Sequence, residues 1–329
     1  MSRKHLLTAV GVVALVAIAG FLYYASRGER RAQTVVAIAT LMSHPALDEV
    51  QAGLKSELAK LGYIEGQSVE YVVRNANGQM QLASTIASEL AASNPDVIVA
   101  ITTPMAQAVA KVARGPVCFA AVTDPVGAGL LDTWDDVKPA ITGTSDAWPY
   151  DAQIALIREV LPNAKRLGVL YNPGEAASQY GVRQIRKHAP AHGFELVEGA
   201  ASSTAEVYPV AESLAGKCDA LFLSSDNTVI GGFAGAVKVA ADRKVPLFVG
   251  DSGTVAKGGI AAVSVGYFAL GEHTGMLVDR LLKGERNIPM VLAQRTEVYV
   301  NSKAAQMMGV EIPEPVLRRA VKVYESIEP

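Results

Sequence analysis

The chain has 329 residues, 50% of them hydrophobic and 19% charged, with a formal net charge of −2. That balance excludes a disordered chain, which needs low hydrophobicity and high net charge, and it argues against a nucleic-acid surface, which needs an excess of Lys and Arg. Only Cys118 and Cys218 are present, too few for a disulfide framework or a cysteine-rich metal site, and the length suggests about two domains at ~150 residues each.

Leu6 to Ala25 form a run without charge, preceded by Arg3, Lys4 and His5. About twenty apolar residues in a helix span a hydrocarbon core of ~30 Å. The same run fits a secretory signal, with Ala17-Ile18-Ala19 as a small-residue cleavage site. Its continuation to Tyr23-Tyr24 suits a retained membrane anchor instead. No cysteine lies nearby for lipoprotein processing. Residues 1–32 are therefore expected to be a signal peptide or a membrane anchor, and both alternatives place the remaining chain outside the cytoplasmic membrane. This segment also accounts for part of the mean hydropathy of +0.22.

From Thr34 onward one unit repeats: a short β-branched apolar run, a polar turn, then an amphipathic stretch. The expected strands are 34–39, 69–73, 96–101, 117–122, 166–171, 195–199, 220–224 and 246–250. The expected helices between them are 45–61, 80–93, 104–114, 150–161, 175–192, 204–215 and 228–243. Continuous apolar strands alternating with helices predict parallel sheets covered on both faces. The alternation runs twice, once to about Val122 and again after Gly143-Thr144-Ser145-Asp146. The stretch between, with Trp134, Asp135, Asp136 and Pro139, reads as a crossover. A helix over 269–282, a strand at 296–300 and a short helix at 302–308 then pack on the two units.

Ligands of open parallel sheets bind beyond the carboxyl ends of the strands. Six such ends carry small polar or acidic groups: Ser43 and His44, Thr102 and Thr103, Thr123 and Asp124, Asn172 with Glu175 and Ser178, Asp226 and Asn227, and Asp251. Each taken singly reads as a helix N-cap, and the prolines after His44 and Thr103 favour that reading. Taken together, helix starts and hydroxyls suit a carboxylate, while Asp124, Asp226 and Asp251 suit an ammonium. The pair predicts a zwitterion such as an amino acid.

Sharper motifs fail. Gly250-Asp251-Ser252-Gly253 spells a string found around protease nucleophiles, but it follows a strand in an α/β unit. Gly127-Ala128-Gly129 lacks the third glycine of a dinucleotide fingerprint, and no phosphate-binding Gly-Lys-Ser/Thr occurs. Pro190 interrupts the helix that would align His188 with His192, and these are expected to be exposed. Both cysteines read as packing residues. No nucleophile–base pair and no metal or cofactor site emerges, so a binder is expected rather than an enzyme.

Several longer strings carry a family resemblance: His44-Pro45-Ala46-Leu47-Asp48, Leu61 to Gly66, Thr123 to Leu130, Gly143 to Asp146, Leu161 to Lys165, Gly168 to Asn172 and Ser225 to Val229. Over about 34–310 the chain resembles ABC-transporter substrate-binding proteins of the tryptophan/tyrosine-uptake type. The resemblance implies a type I periplasmic binding protein, two Rossmann-like lobes closing on a small ligand around a three-strand hinge, with ABC permease subunits as partners and no cofactor. The lobes are expected at 33–143 with about 267–290, and at 144–266 with about 291–312, followed by a C-terminal extension over 313–329. Thr102, Thr103 and Thr123 would then receive a carboxylate, Asp226 and Asp251 the ammonium, and Asn172 and Asn227 further hydrogen bonds. Ser43, His44, Asp124, Glu175 and Ser178 complete the candidate site, and Tyr171, Trp148 and Tyr267 are candidate walls. Relatives often carry Ser-Ser-Glu-Ala-Asn-Ser where this chain reads Pro173 to Ser178, a departure that bears on ligand identity. The alternative role is a membrane-anchored ligand sensor working through a partner protein.

Overall fold

The computed structural model describes residues 33–328. The expected signal peptide or anchor lies outside the described residues. Among the described residues no helix is long and apolar enough to cross a membrane.

The chain runs β1 (Thr34–Thr40), α1 (Pro45–Lys60), β2 (Val69–Asn75), α2 (Met80–Ala92), β3 (Val97–Ile101), α3 (Thr103–Val112), β4 (Val117–Ala120) and β5 (Ile141–Ser145). A second series follows with α4 (Tyr150–Val160), β6 (Arg166–Tyr171), α5 (Ala176–His188), β7 (Glu195–Ala200), α6 (Thr204–Ala215), β8 (Ala220–Leu223), α7 (Asn227–Gly231), α8 (Phe233–Arg243), β9 (Leu247–Phe248), α9 (Ser252–Ala256) and β10 (Ala261–Val265). The tail is α10 (Tyr267–Leu282), β11 (Val291–Leu292), β12 (Thr296–Asn301), α11 (Ser302–Met308), α12 (Glu314–Arg319) and β13 (Ala320–Tyr324).

The first lobe is a parallel sheet in the order β11-β5-β4-β3-β1-β2. Successive side chains of a strand point to opposite faces, and both faces of this sheet are covered. Val36 and Ile38 of β1 join Leu54 and Leu58 of α1 and Leu277 and Leu281 of α10 on one side. Ala37 and Ala39 join Ile86 and Leu90 of α2 and Met105 of α3 on the other. The second lobe has the parallel order β7-β6-β8-β9, beside a β10-β12-β13 sheet in which β10 runs antiparallel to β12. Ile260 N donates to Leu247 O at 2.8 Å, which joins the two sheets edge to edge.

Three segments cross between the lobes: from β5 to α4, from β10 to α10, and from β11 to β12. The crossing therefore comes after β5. The 123–140 stretch, expected as a crossover, instead caps the first lobe with Leu130 and Leu131 in its core. Val291–Leu292 pairs with β5, so the first-lobe share of the tail reaches slightly past the expected 290. Within the C-terminal extension, α12 buries Val316 and β13 adds a strand beside β12.

Two other differences have local causes. The helix expected over 228–243 breaks between α7 and α8, where a Cβ on Gly232 would lie 2.6 Å from Val207 Cγ2 of α6. Helix α5 stops at His188, as Pro190 requires, but a 3-10 turn over Ala189–His192 brings both histidines onto Asp151. His188 Nδ1 and His192 Nε2 lie 3.2 and 2.8 Å from Asp151 Oδ1, and the two rings are only 27% and 22% exposed. They are paired on the surface rather than free in solvent.

Helices α1 and α10 meet through glycines. A Cβ on Gly271 would stand 2.2 Å from Val50 O, and one on Gly53 would stand 2.1 Å from Phe268 O. Both obstacles are backbone, so no side chain can yield. Gly271→Ala is expected to separate the helices and cost about 1–3 kcal/mol. The urea midpoint measures it, and an unchanged midpoint would show that the helices can part freely.

Candidate functional site

The carboxyl ends of strands from both lobes face each other across a gap. At the end of β1, His44 caps α1: its Nδ1 accepts from Ala46 N at 3.3 Å. That places the ring proton on Nε2. His44 Nε2 stands 3.6 Å from Asp251 Oδ1, beyond hydrogen-bond distance. The end of β3 leads into Thr102 with φ 88°, and the end of β4 into Ala121 with φ 50°. A β-branched residue at positive φ is strained, and such strain gathers where a site over-determines the backbone. Both residues line the same cavity.

Thr123 Oγ1 donates to Asp146 Oδ1 at 3.0 Å and lies 3.0 Å from Ser225 Oγ of the second lobe. Asp146, at the end of β5, also accepts from Tyr267 OH at 3.1 Å. Burial pushes its carboxyl up from 3.8 to about 6, against the lowering effect of these hydrogen bonds. From the second lobe come Asp226, which caps α7, and Asp251, which caps α9.

These ends line a cavity of about 40 Å³. Its apolar wall includes Met42, Leu47, Trp148 and Ile230. Among the described residues, its lining holds three carboxylates, those of Asp146, Asp226 and Asp251, one histidine, and neither Lys nor Arg. Two of its buried polar atoms, His44 Nε2 and Thr102 Oγ1, have no hydrogen-bond partner among the described residues. Leaving such atoms unpaired costs about 1–3 kcal/mol each. A polar ligand would meet that need. Outside Met42, His44, Asn227 and Ile230 the cavity gives onto a vestibule of about 1080 Å³.

Of the residues read from sequence, His44, Thr102, Thr103, Thr123, Asp226, Asn227 and Asp251 line the cavity. Ser43, Asn172 and Glu175 line the vestibule. Several of these side chains are already engaged. Asp226 accepts from Val229 N on one oxygen, and from Ser178 Oγ (2.6 Å) and Asn172 N on the other. Glu175 accepts from Asn227 and Thr228, backbone and side chain alike. Ser178 is wholly buried against Asp226. Asp251 accepts from Thr254 N at 2.9 Å and Thr254 Oγ1 at 2.7 Å.

Asp124 lies apart from the cavity. Its Oδ1 accepts from Gly127 N at 2.9 Å, and its Oδ2 pairs with Arg183 Nη2 of the second lobe at 3.0 Å. Beside it the Trp134 ring of the first lobe lies 6.0 Å from Tyr180 of the second. Together these contacts bridge the lobes. Arg183→Ala is expected to weaken ligand binding about three- to tenfold by disfavouring closure, a small effect because the guanidinium is half exposed. Calorimetric titration measures it, and wild-type affinity would show that the bridge does not help closure.

Asp146, Ser225, Met42, Leu47 and Ile230 were missed as candidates. Asp146 carried a usable signal, because it ends a run, 141–145, that reads as a strand once the crossover is moved beyond it.

The family described as ABC transporter substrate binding protein matches residues 35–324. A tyrosine-binding protein of Clostridioides difficile (strain R20291) is 31% identical over 286 residues, 86% of this chain and 83% of that protein. An ABC domain from Streptococcus pneumonia solved in complex with L-Trp is 32% identical, with a TM-score of 0.85 over 89% of this chain and 100% of the other. A ligand-free, open substrate-binding protein with adhesive properties from Clostridium difficile has the same 32% identity and the same coverage, but a TM-score of 0.69. The shape of this chain is thus nearer the ligand complex than the open form, in keeping with the bonds that join its lobes. Fold, cleft and sequence agree that the chain belongs to the ABC transporter substrate-binding protein family.

Proposed function

We propose that this chain binds an L-amino acid with a large apolar side chain between its lobes and delivers it to an ABC permease outside the cytoplasmic membrane. The observation that carries the reading is a cavity lined by three carboxylates with neither Lys nor Arg among the described lining residues, in which two buried polar atoms, His44 Nε2 and Thr102 Oγ1, have no partner. The ligand's carboxylate would accept from His44 Nε2–H, from Thr102 Oγ1–H and from amides at the start of α3. Its ammonium would face Asp146, with Asp251 near. Met42, Leu47, Trp148 and Ile230 offer an apolar wall to the side chain. The relatives named for tyrosine and solved with L-Trp support an aromatic ligand. The apolar run from Leu6 to Ala25 would export or anchor the protein.

Titration of the full-length chain with L-Trp, L-Tyr, L-Leu, tryptamine and 3-indolepropionate tests this. The L-amino acids are expected to bind. Each analogue lacking one charged group should lose at least tenfold in affinity, since a buried partner is left unpaired. Equal binding of tryptamine and L-Trp would overturn the carboxylate assignment, and no binding of any amino acid would overturn the ligand class.

A further inference from the structure

Asp146 is the meeting point of two buried hydrogen-bond chains. Trp148 Nε1–H donates to the Tyr267 hydroxyl oxygen at 3.0 Å, and that hydroxyl donates to Asp146 Oδ2 at 3.1 Å. On the other oxygen, Thr123 Oγ1–H donates to Oδ1 at 3.0 Å. The single Thr123 proton is used there, so Ser225 supplies the proton of the 3.0 Å contact between the two hydroxyls. Every proton runs toward Asp146, an arrangement fitted to an ionised carboxylate, which only accepts.

The members come from pieces of chain that shift relative to one another when such lobes open. Asp146 and Trp148 lie in the first crossing, and Tyr267 directly follows the second. Thr123 belongs to the first lobe and Ser225 to the second. The chain of bonds therefore links two hinge crossings to the residue that faces the ligand.

Burial and the carboxylates of Asp146 and Asp251 hold the Tyr267 phenol protonated, so it remains a donor. The titratable groups that face Asp146 are Tyr267, Tyr150 and Asp251, with His44 and Asp226 in the same cavity lining, the latter also raised by burial. Burial raises the Asp146 carboxyl and the Tyr267 bond lowers it. Loss of that bond should therefore move its titration upward.

We propose that Tyr267 is a positioning residue: through Trp148 it ties Asp146 to the hinge, so the carboxylate is set for the ligand's ammonium only when the two crossings take the closed arrangement. The proposal rests on the amino-acid reading above. Ligand contact and closure then become one coupled event.

Tyr267→Phe in the full-length chain tests it with two readouts. In carboxyl carbon-13 NMR, with the resonance assigned by Asp146→Asn, Asp146 should titrate at higher pH than in the wild type. In calorimetry with L-Trp from pH 5.5 to 8, affinity at pH 7 should fall about tenfold, the scale of a hydrogen bond to a charged group. The pH at which affinity is half lost should rise with the titration. A role confined to packing would lower stability and leave the pH profile in place. Unmoved Asp146 titration or an unmoved affinity profile overturns the proposal. If the wild type binds neither L-Trp nor L-Tyr, the amino-acid reading falls. The NMR titration then decides the role of Tyr267 alone, upward movement supporting it and none overturning it.

Discussion

Asp146→Asn is expected to weaken binding of an aromatic amino acid about 100-fold or more while leaving the folded protein as stable as the wild type, or more so. The binding effect follows from removing one partner of a buried ion pair, which costs about 3–5 kcal/mol. The stability effect has the opposite sign. Burial raises the Asp146 carboxyl from 3.8 to about 6 in the folded chain. A group raised in this way contributes fully below its unfolded value, and the contribution is lost as pH rises through the folded one. Ligand-free stability should therefore decline between about pH 4 and 6. A difference of about two pH units corresponds to at most about 3 kcal/mol.

Affinity should run the other way, because a protonated Asp146 cannot pair with an ammonium. Binding is then expected to weaken as pH falls through about 6, with a proton released on binding in that range. Asparagine at this position removes Asp146's share of both trends, while Asp226, which burial and Glu175 likewise raise to about 6, keeps its own. Calorimetry across pH and urea titrations without ligand check the two halves separately. Undiminished affinity in the variant would remove Asp146 from the site. A pronounced loss of stability would show that its hydrogen bonds outweigh the cost of burying its charge.

Asp226→Ala is expected to act on the fold first. The side chain accepts from Val229 N, Asn172 N and Ser178 Oγ in the interior of the second lobe. Removing it strands those donors, at about 1–3 kcal/mol for each one left unpaired. Ser178 Oγ, 3.1 Å from Asn172 N, can keep one of them satisfied. A net loss of about 2–4 kcal/mol is expected, offset in part because burial and the nearby Glu175 raise the carboxyl and make its charge costly. Denaturation midpoints measure this, and affinity should change less than in Asp146→Asn. The reverse outcome, intact stability with affinity lost 100-fold, would make Asp226 the ammonium partner that its place after β8 suggests.

The contrast between these two aspartates shows how far the sequence could be read. Both follow a parallel strand, and position after a strand is local information. From it came the two-lobe α/β organisation, the end of each sheet that borders the cleft, and seven side chains that line the cavity. What an aspartate does there depends on the donors it meets. Asp226 finds one three residues ahead, at Val229, and another 54 residues back, at Asn172. Asp146 finds Tyr267 across 121 residues. Asp124 likewise reads as an ammonium partner, and only the fold, which brings Arg183 to it across 59 residues of chain, makes it a bridge between lobes.

The sequence by itself determined the class of fold, the likeness to substrate-binding proteins and the polar chemistry gathered at the strand ends. Each of these is written in short-range periodicity, caps and contiguous motifs. Only the tertiary structure decided which of those groups are already satisfied and which remain to be met. The physical reason is that a hydrogen bond uses up its donor and acceptor. A buried carboxylate can serve a ligand only with the capacity that its neighbours, brought in from distant parts of the chain, leave to it.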